Sequence, residues 1–225
     1  TAAHDGGSRL KRGSARPNPS PASGSVGRYY PLQEDSGDTS TDFSNDGADG
    51  TVQYGTPAGA SGLFDTTCYA FDGSSDSVVF PGLGGLVDGT NDYSFSVWIR
   101  PDAITSSVQD IITFRENYVV EFRIADTELR LQVFDGNTVD TVSWGGITAG
   151  EWHHVVVRWD ADGNTELFVD GSSRDAASFV NPKSTDDANT IGRNGGGSYY
   201  YGGKIAEFRV YDTLLSTSQI QSLYD

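Results

Sequence analysis

The sequence predicts an all-β fold, an antiparallel β-sandwich with an extended N-terminal arm and one short C-terminal helix. Three observations carry this reading. Short runs alternate apolar and polar residues, Asp-Gly pairs separate the runs, and one helix-start signal stands near the last residue.

Residues 1–28 come first and differ from everything after them. The stretch RLKRGSARPNPSPASGSVG carries three prolines and many small residues without hydrophobic periodicity, so it reads as an arm or linker. With Arg28 the arm holds five bases (Arg9, Lys11, Arg12, Arg16 and Arg28) against one acid, Asp5. A basic arm on an acidic body is expected to dock onto neighbouring subunits, another copy of the chain or a larger assembly. Residues 29–225 form the expected folded domain.

Within that domain, Asp42–Gly50 reads DFSNDGADG. Asp42, Ser44, Asp46 and Gly47 match the first half of an EF-hand loop. The twelfth position is Gln53 and no helical pattern flanks the loop, so an EF-hand is excluded. Cys68, the single cysteine, sits in the β-type run Cys-Tyr-Ala-Phe and reads as a small buried hydrophobe. Phe95, Val97 and Ile99 share one face of a strand over 93–100. His153, Val155, Val157 and Trp159 share a face of another, and Leu167 and Val169 flank Phe168 in its partner. Asp-Gly pairs at Asp72, Asp135, Asp162 and Asp170 mark turns that need a positive φ. Ser216-Thr-Ser-Gln219 is a capping box, followed by Ile220 and Leu223 on one side of a terminal helix.

Composition narrows the function classes. Thirty-one acids oppose fifteen Lys and Arg residues, a net charge of -16, and the lysines are Lys11, Lys183 and Lys204 only. An Asp-rich, Lys-poor chain resembles proteins of extreme halophiles, whose carboxylate surfaces rely on salt to screen self-repulsion. Nucleic acid is a poor partner for such a body. No apolar run is long enough to cross a membrane as a helix. Methionine is absent, which implies processing or a longer product. The expected setting is extracellular or on a virion surface.

The ordered blocks Tyr69–Pro81, Phe95-Ser-Val-Trp-Ile-Arg-Pro101, Glu151-Trp-His-His-Val-Val-Val157, Glu166-Leu-Phe-Val-Asp-Gly171, Thr190-Ile-Gly-Arg193 and Tyr201–Tyr211 resemble the laminin-G-like family. That family lies within the concanavalin A-like lectin/glucanase superfamily. The resemblance implies a jelly roll of two antiparallel sheets whose first and last strands are neighbours. It covers residues 29–225 and leaves function open, because lectins, adhesion modules and glycosidases share the fold. Retaining glucanases of this fold carry Glu-x-Asp-x-x-Glu on one strand. Glu121-Phe-Arg-Ile-Ala-Asp126 lacks that spacing, and sialidase-type Asp boxes are missing. The sequence therefore points to a domain that is not an enzyme, with a glycoside hydrolase as the third reading.

His153 and His154 point to opposite sides of a strand, so they cannot chelate one ion together. Their place in the Trp-His-His-Val block is structural by resemblance. Trp98 and Trp159 read as core or sheet-face residues. Trp144, before Gly145-Gly146, and Asn194, Tyr199 and Tyr200, in the glycine-rich loop 192–203, supply loop aromatics beside an amide, as sugar recognition requires. These four are the candidate glycan-binding residues. Relatives often hold a structural calcium near the loop at Asp42, with a carboxylate from the C-terminal strand. The resemblance thus implies Ca2+ held by Asp42, Asp46 and Glu207, fastening the chain ends together. The expected role is recognition of glycans or a cell-surface protein within a halophilic virion or envelope assembly, or a purely structural subunit of one.

Overall fold

Alternation and turn chemistry resolve into sixteen strands and one helix in the computed structural model, which describes residues 26–44, 47–53, 59–63, 66–83, 86, 90–114, 119–134, 139–178 and 189–225. The first eight strands are β1 (Val26–Tyr30), β2 (Thr39–Ser40), β3 (Gly50–Gln53), β4 (Ala60–Ser61), β5 (Thr67–Asp72), β6 (Ser77–Phe80), β7 (Tyr93–Pro101) and β8 (Gln109–Phe114). The next eight are β9 (Val119–Ala125), β10 (Glu128–Phe134), β11 (Val139–Trp144), β12 (His153–Trp159), β13 (Asn164–Val169), β14 (Ser172–Ser178), β15 (Asn189–Ile191) and β16 (Gly202–Tyr211). Helix α1 (Thr217–Tyr224) follows.

Two antiparallel sheets face each other. The first runs β14-β13-β12-β7-β16-β5-β4, with β1 also paired to β16; the second runs β11-β10-β9-β8-β15-β6-β3-β2. Their inner faces make one core that includes Phe95, Val97, Ile99, Phe122, Leu131, Val155, Val157 and Trp159. Tyr93 and Trp159 stack within it, ring centroids 4.9 Å apart. The predicted alternation on β7 and β12 thus sets which side chains meet the opposite sheet.

Strand β16 joins the first strand to the rest. Its first half pairs with β5 and its second with β1, Tyr30 lying opposite Phe208. The register shifts between Ala206 and Arg209, a bulge in which Glu207 takes φ 57. Val26, Gly27 and Arg28, placed in the arm by the sequence, are therefore residues of β1, the strand paired to β16. The rest of the predicted arm, residues 1–25, lies outside the described residues.

Turn chemistry explains the hairpins. Asp170 and Gly171 both have positive φ, 53 and 71, and form the two-residue connection of β13 to β14. Asp126 and Thr127 do the same between β9 and β10, at φ 49 and 69, without a glycine. Gly73 and Gly163 take positive φ as their Asp-Gly pairs predicted; the pair at Asp135 lies outside the described residues.

The outer faces differ. On the first sheet, Val156, Phe168 and Tyr211 are outward and apolar, and Ile220 and Leu223 of α1 bury them. Ser216 caps that helix through the predicted box with Gln219. Trp98 stacks on Tyr224 at 5.9 Å and lies 5.0 Å from His154, so nine consecutive residues of β7 sit under cover on both faces, save Arg100. On the second sheet the outward residues of β8–β11 are mostly polar, Phe134 and Val139 excepted, and among the described residues no helix covers them.

Candidate functional site

The register of β8–β11 assembles a polar network from residues scattered between Asp110 and Thr141. Asp110 lies opposite Arg123, Glu121 opposite Gln132, and Gln132 opposite Thr141. All project outward, because Phe122, Leu131 and Val142 between them belong to the core. Arg123 donates to Asp110 through Nε (2.6 Å to Oδ1) and Nη2 (3.0 Å to Oδ2). Its Nη1 donates to Gln132 Oε1 at 3.0 Å, and Nη2 also meets Glu121 Oε2 at 2.5 Å. Gln132 in turn donates to Thr141 Oγ1 at 3.3 Å. Such paired charges, held on rigid strands, are fixed in place before any ligand arrives.

Asp110 is wholly buried. Burial pushes its carboxyl up to about 6, helped by the nearby charge of Glu121 and opposed by the hydrogen bonds and charge of Arg123. Both of its oxygens face Arg123 beneath the surface. Glu121, Arg123, Gln132, Phe134 and Val139 line a cleft of about 270 Å³, so among the described residues Glu121 is the carboxylate a ligand there would meet. Among the described residues of the cleft there is one carboxylate, where glycoside hydrolysis uses a flanking pair.

Exposed rings stand at the two ends of this network. Tyr199 is 52 % exposed and its ring lies under the Arg123 guanidinium at 5.9 Å. Its carbonyl accepts from Asp110 N at 2.7 Å, and its φ of 54 is unusual for an aromatic residue. Phe134 is 42 % exposed; it lies four strand positions from Arg130, the partner of Arg123, a span of about 13 Å.

The predicted glycan-binding residues separate on this map. Tyr199 joins the network, and Tyr200, half-buried, bridges to Asp110 beside it. Asn194 shapes their loop: its Oδ1 accepts from Gly196 N at 3.1 Å and Ser198 N at 2.8 Å. Trp144 stands apart. It pairs with Leu129, an inward position, and packs against the core at the sheet edge. Arg174 covers its ring at 4.7 Å, and a Cβ on Gly146 would meet that ring at 2.1 Å. His153, 6.1 Å from Trp144, is itself pinned by Asp170 at 2.9 Å and Thr148 at 3.0 Å. His154 lies on the other face against Ser96 at 2.9 Å, where burial holds it down to about 3 and therefore neutral.

Asp110, Glu121, Arg123, Gln132 and Phe134 were not singled out for binding by the sequence pattern. A signal existed: Phe134 breaks the alternation of Leu129, Leu131 and Val133, placing an aromatic ring on a polar face.

The expected calcium ligands are arranged for another task. Asp42 Oδ1 accepts from Tyr29 N and Ser44 N, both at 2.9 Å, and Oδ2 from Ser44 Oγ at 2.8 Å and Ala48 N at 3.1 Å. Glu207 Oε1 accepts from Gln33 Nε2 at 2.7 Å, and Oε2 from Tyr29 Oη at 2.8 Å and from Arg209. Asp46 lies outside the described residues. Among the described residues no three His, Cys, Asp or Glu side chains converge as a metal-binding set. In this arrangement Asp42 and Glu207 both turn their oxygens to N–H and O–H donors. Tyr29 fastens the first strand to the last, its amide holding Asp42 and its hydroxyl holding Glu207. Burial pushes that hydroxyl up to about 12, so it remains a donor.

Comparison with known proteins agrees with the fold. The family model Laminin_G_3, described as the concanavalin A-like lectin/glucanases superfamily, matches residues 72–221, more than half of the chain. The chain belongs to this superfamily. Domain 4 of AbnA, a GH43 extracellular arabinanase from Geobacillus stearothermophilus solved in complex with arabinotriose, is similar at 19% identity and TM-score 0.73. That match covers 90% of this chain and 99% of the other. The receptor binding domain of botulinum neurotoxin C/D mosaic serotype matches at 14% identity and TM-score 0.71, over 89% of this chain and 51% of that one. The binding domain of Paraclostridial Mosquitocidal Protein 1 gives 14% and 0.71, over 89% and 52%. The chain thus spans about half the length of the toxin domains and nearly all of the arabinanase domain. No curated protein sequence matches. Among the described residues no helix is long and apolar enough to cross a membrane.

Proposed function

We propose that this superfamily member is a non-catalytic recognition domain that binds saccharides on the outer face of β8–β11. The observation that carries the reading is Tyr199, an exposed ring held at positive φ beneath a guanidinium whose hydrogen bonds are made in advance. A ring offers its face to sugar C–H groups, while Glu121 and Gln132 accept from and donate to hydroxyls. The similar arabinanase domain, solved with a trisaccharide, and the similar toxin binding domains support recognition over catalysis. The setting we infer is extracellular, on a larger halophilic surface assembly, in keeping with the net charge of -16.

A glycan array and calorimetric titration in high salt test this. Tyr199→Ala and Phe134→Ala should weaken binding, whereas Trp144→Ala should leave the affinity of the folded protein unchanged. Binding by no saccharide, or loss through Trp144 alone, would refute the reading.

A further inference from the structure

From the pairing of Arg123, and resting on the saccharide reading above, we infer that this cleft selects neutral, hydroxyl-rich saccharides and rejects uronates and sulfated sugars. An arginine in a binding cleft ordinarily invites the opposite conclusion, because its planar fork grips carboxylate and sulfate bidentately. That grip needs two parallel N–H groups on one edge of the guanidinium. Asp110 takes the Nε and Nη2 edge with both of its oxygens. Gln132 and Glu121 take the other edge, one through Nη1 and one through Nη2. Of the five N–H groups of a guanidinium, these contacts engage four, which leaves one on Nη1. A single N–H can donate to a hydroxyl and cannot clamp an anion.

Charge points the same way. Arg123 carries one positive charge against the carboxylates of Asp110 and Glu121, all within one ion-pair cluster. An incoming anion would meet Glu121, the carboxylate that lines the cleft, before any unpaired cation. What remains available is suited to hydroxyls: the free lone pairs of Glu121, the amide of Gln132, the hydroxyl of Thr141, and the rings of Tyr199 and Phe134 at either end.

The test uses matched pairs of oligosaccharides that differ only at C6: gluco- with glucurono-, galacto- with galacturono-, and manno- with mannurono-oligosaccharides, together with arabinotriose. Binding is measured by calorimetry at low and high salt. We expect each binder to be neutral and its uronate partner at least tenfold weaker at low salt, with the gap narrowing as salt screens Glu121. Glu121→Gln should narrow the same gap at low salt, and an unchanged melting temperature would confirm that it folds. A uronate that binds as tightly as its neutral partner, or a gap that Glu121→Gln leaves untouched, overturns the inference and spares the saccharide reading. Binding of none of the sugars overturns both.

Discussion

The two outer faces of the sandwich obey one rule and reach opposite ends. On the first sheet the outward positions of β12, β13 and β16 hold Val156, Phe168 and Tyr211, so helix α1 is drawn down to bury them. On the second sheet the outward positions hold Asp110, Glu121, Arg123 and Gln132, which satisfy one another and leave little that is apolar for a cover to bury. The contrast teaches that an open sheet face need not be unfinished. Where polar side chains are already paired, the rings left at the margin, Tyr199 and Phe134, are free to meet a ligand.

The largest effect expected of this contrast falls on the covered face. Trp98→Ala removes a ring, 1 % exposed, that packs against His154 and Tyr224, and should cost about 3–5 kcal/mol by urea titration. The affinity of the folded fraction for saccharide should not change. A joint loss of stability and affinity would break the independence of the two faces. Next comes Arg123→Gln, which strands the buried Asp110 carboxylate and should cost about 3 kcal/mol at pH 8. The cost should shrink at pH 5, where Asp110 can take up a proton; an equal cost at both values would contradict the pairing described. Tyr199→Ala should lower saccharide affinity about tenfold, near 1.4 kcal/mol, and shift stability by less than about 0.5 kcal/mol.

The smallest effect concerns pH, and here the faces have opposite signs. Burial lowers His154 to about 3, so its contribution is complete above the ordinary histidine value and is lost as pH falls below 6.5. Burial raises Asp110 to about 6, so its ionisation costs stability as pH rises from 4 through 6. Acidification from pH 6 to 4 therefore weakens the covered face and relieves the open one. In Asp110→Asn the relief is gone, and stability should fall more steeply over that interval than in the parent protein. Identical slopes in denaturant titrations would show that Asp110 does not titrate there.

How much of this was legible depended on how far apart the partners lie. Spacing of two along β7 and β12, the Asp-Gly turns and the Ser216–Gln219 capping box are local patterns, so strands, hairpins and terminal helix could be read directly. The turn at Asp126–Thr127 could not, because it takes positive φ without the glycine that would announce it. Trp144 and Tyr199 looked equivalent as loop aromatics; pairing with Leu129 turns Trp144 inward, and one position of register would have reversed that.

The sequence by itself determined that the chain builds an antiparallel sandwich, which residues fill its core and where its helix begins, because these follow from periodicity and capping over a few residues. Only the tertiary structure decided the partners. Arg123 meets Asp110 across a strand pair and Tyr199 from a distant loop, and Tyr29 joins Asp42 to Glu207 where a metal was expected. A carboxylate reads the same in sequence whether it awaits a cation or already accepts four donors. The difference lies in which backbone and side-chain groups the fold brings within about 3 Å of it.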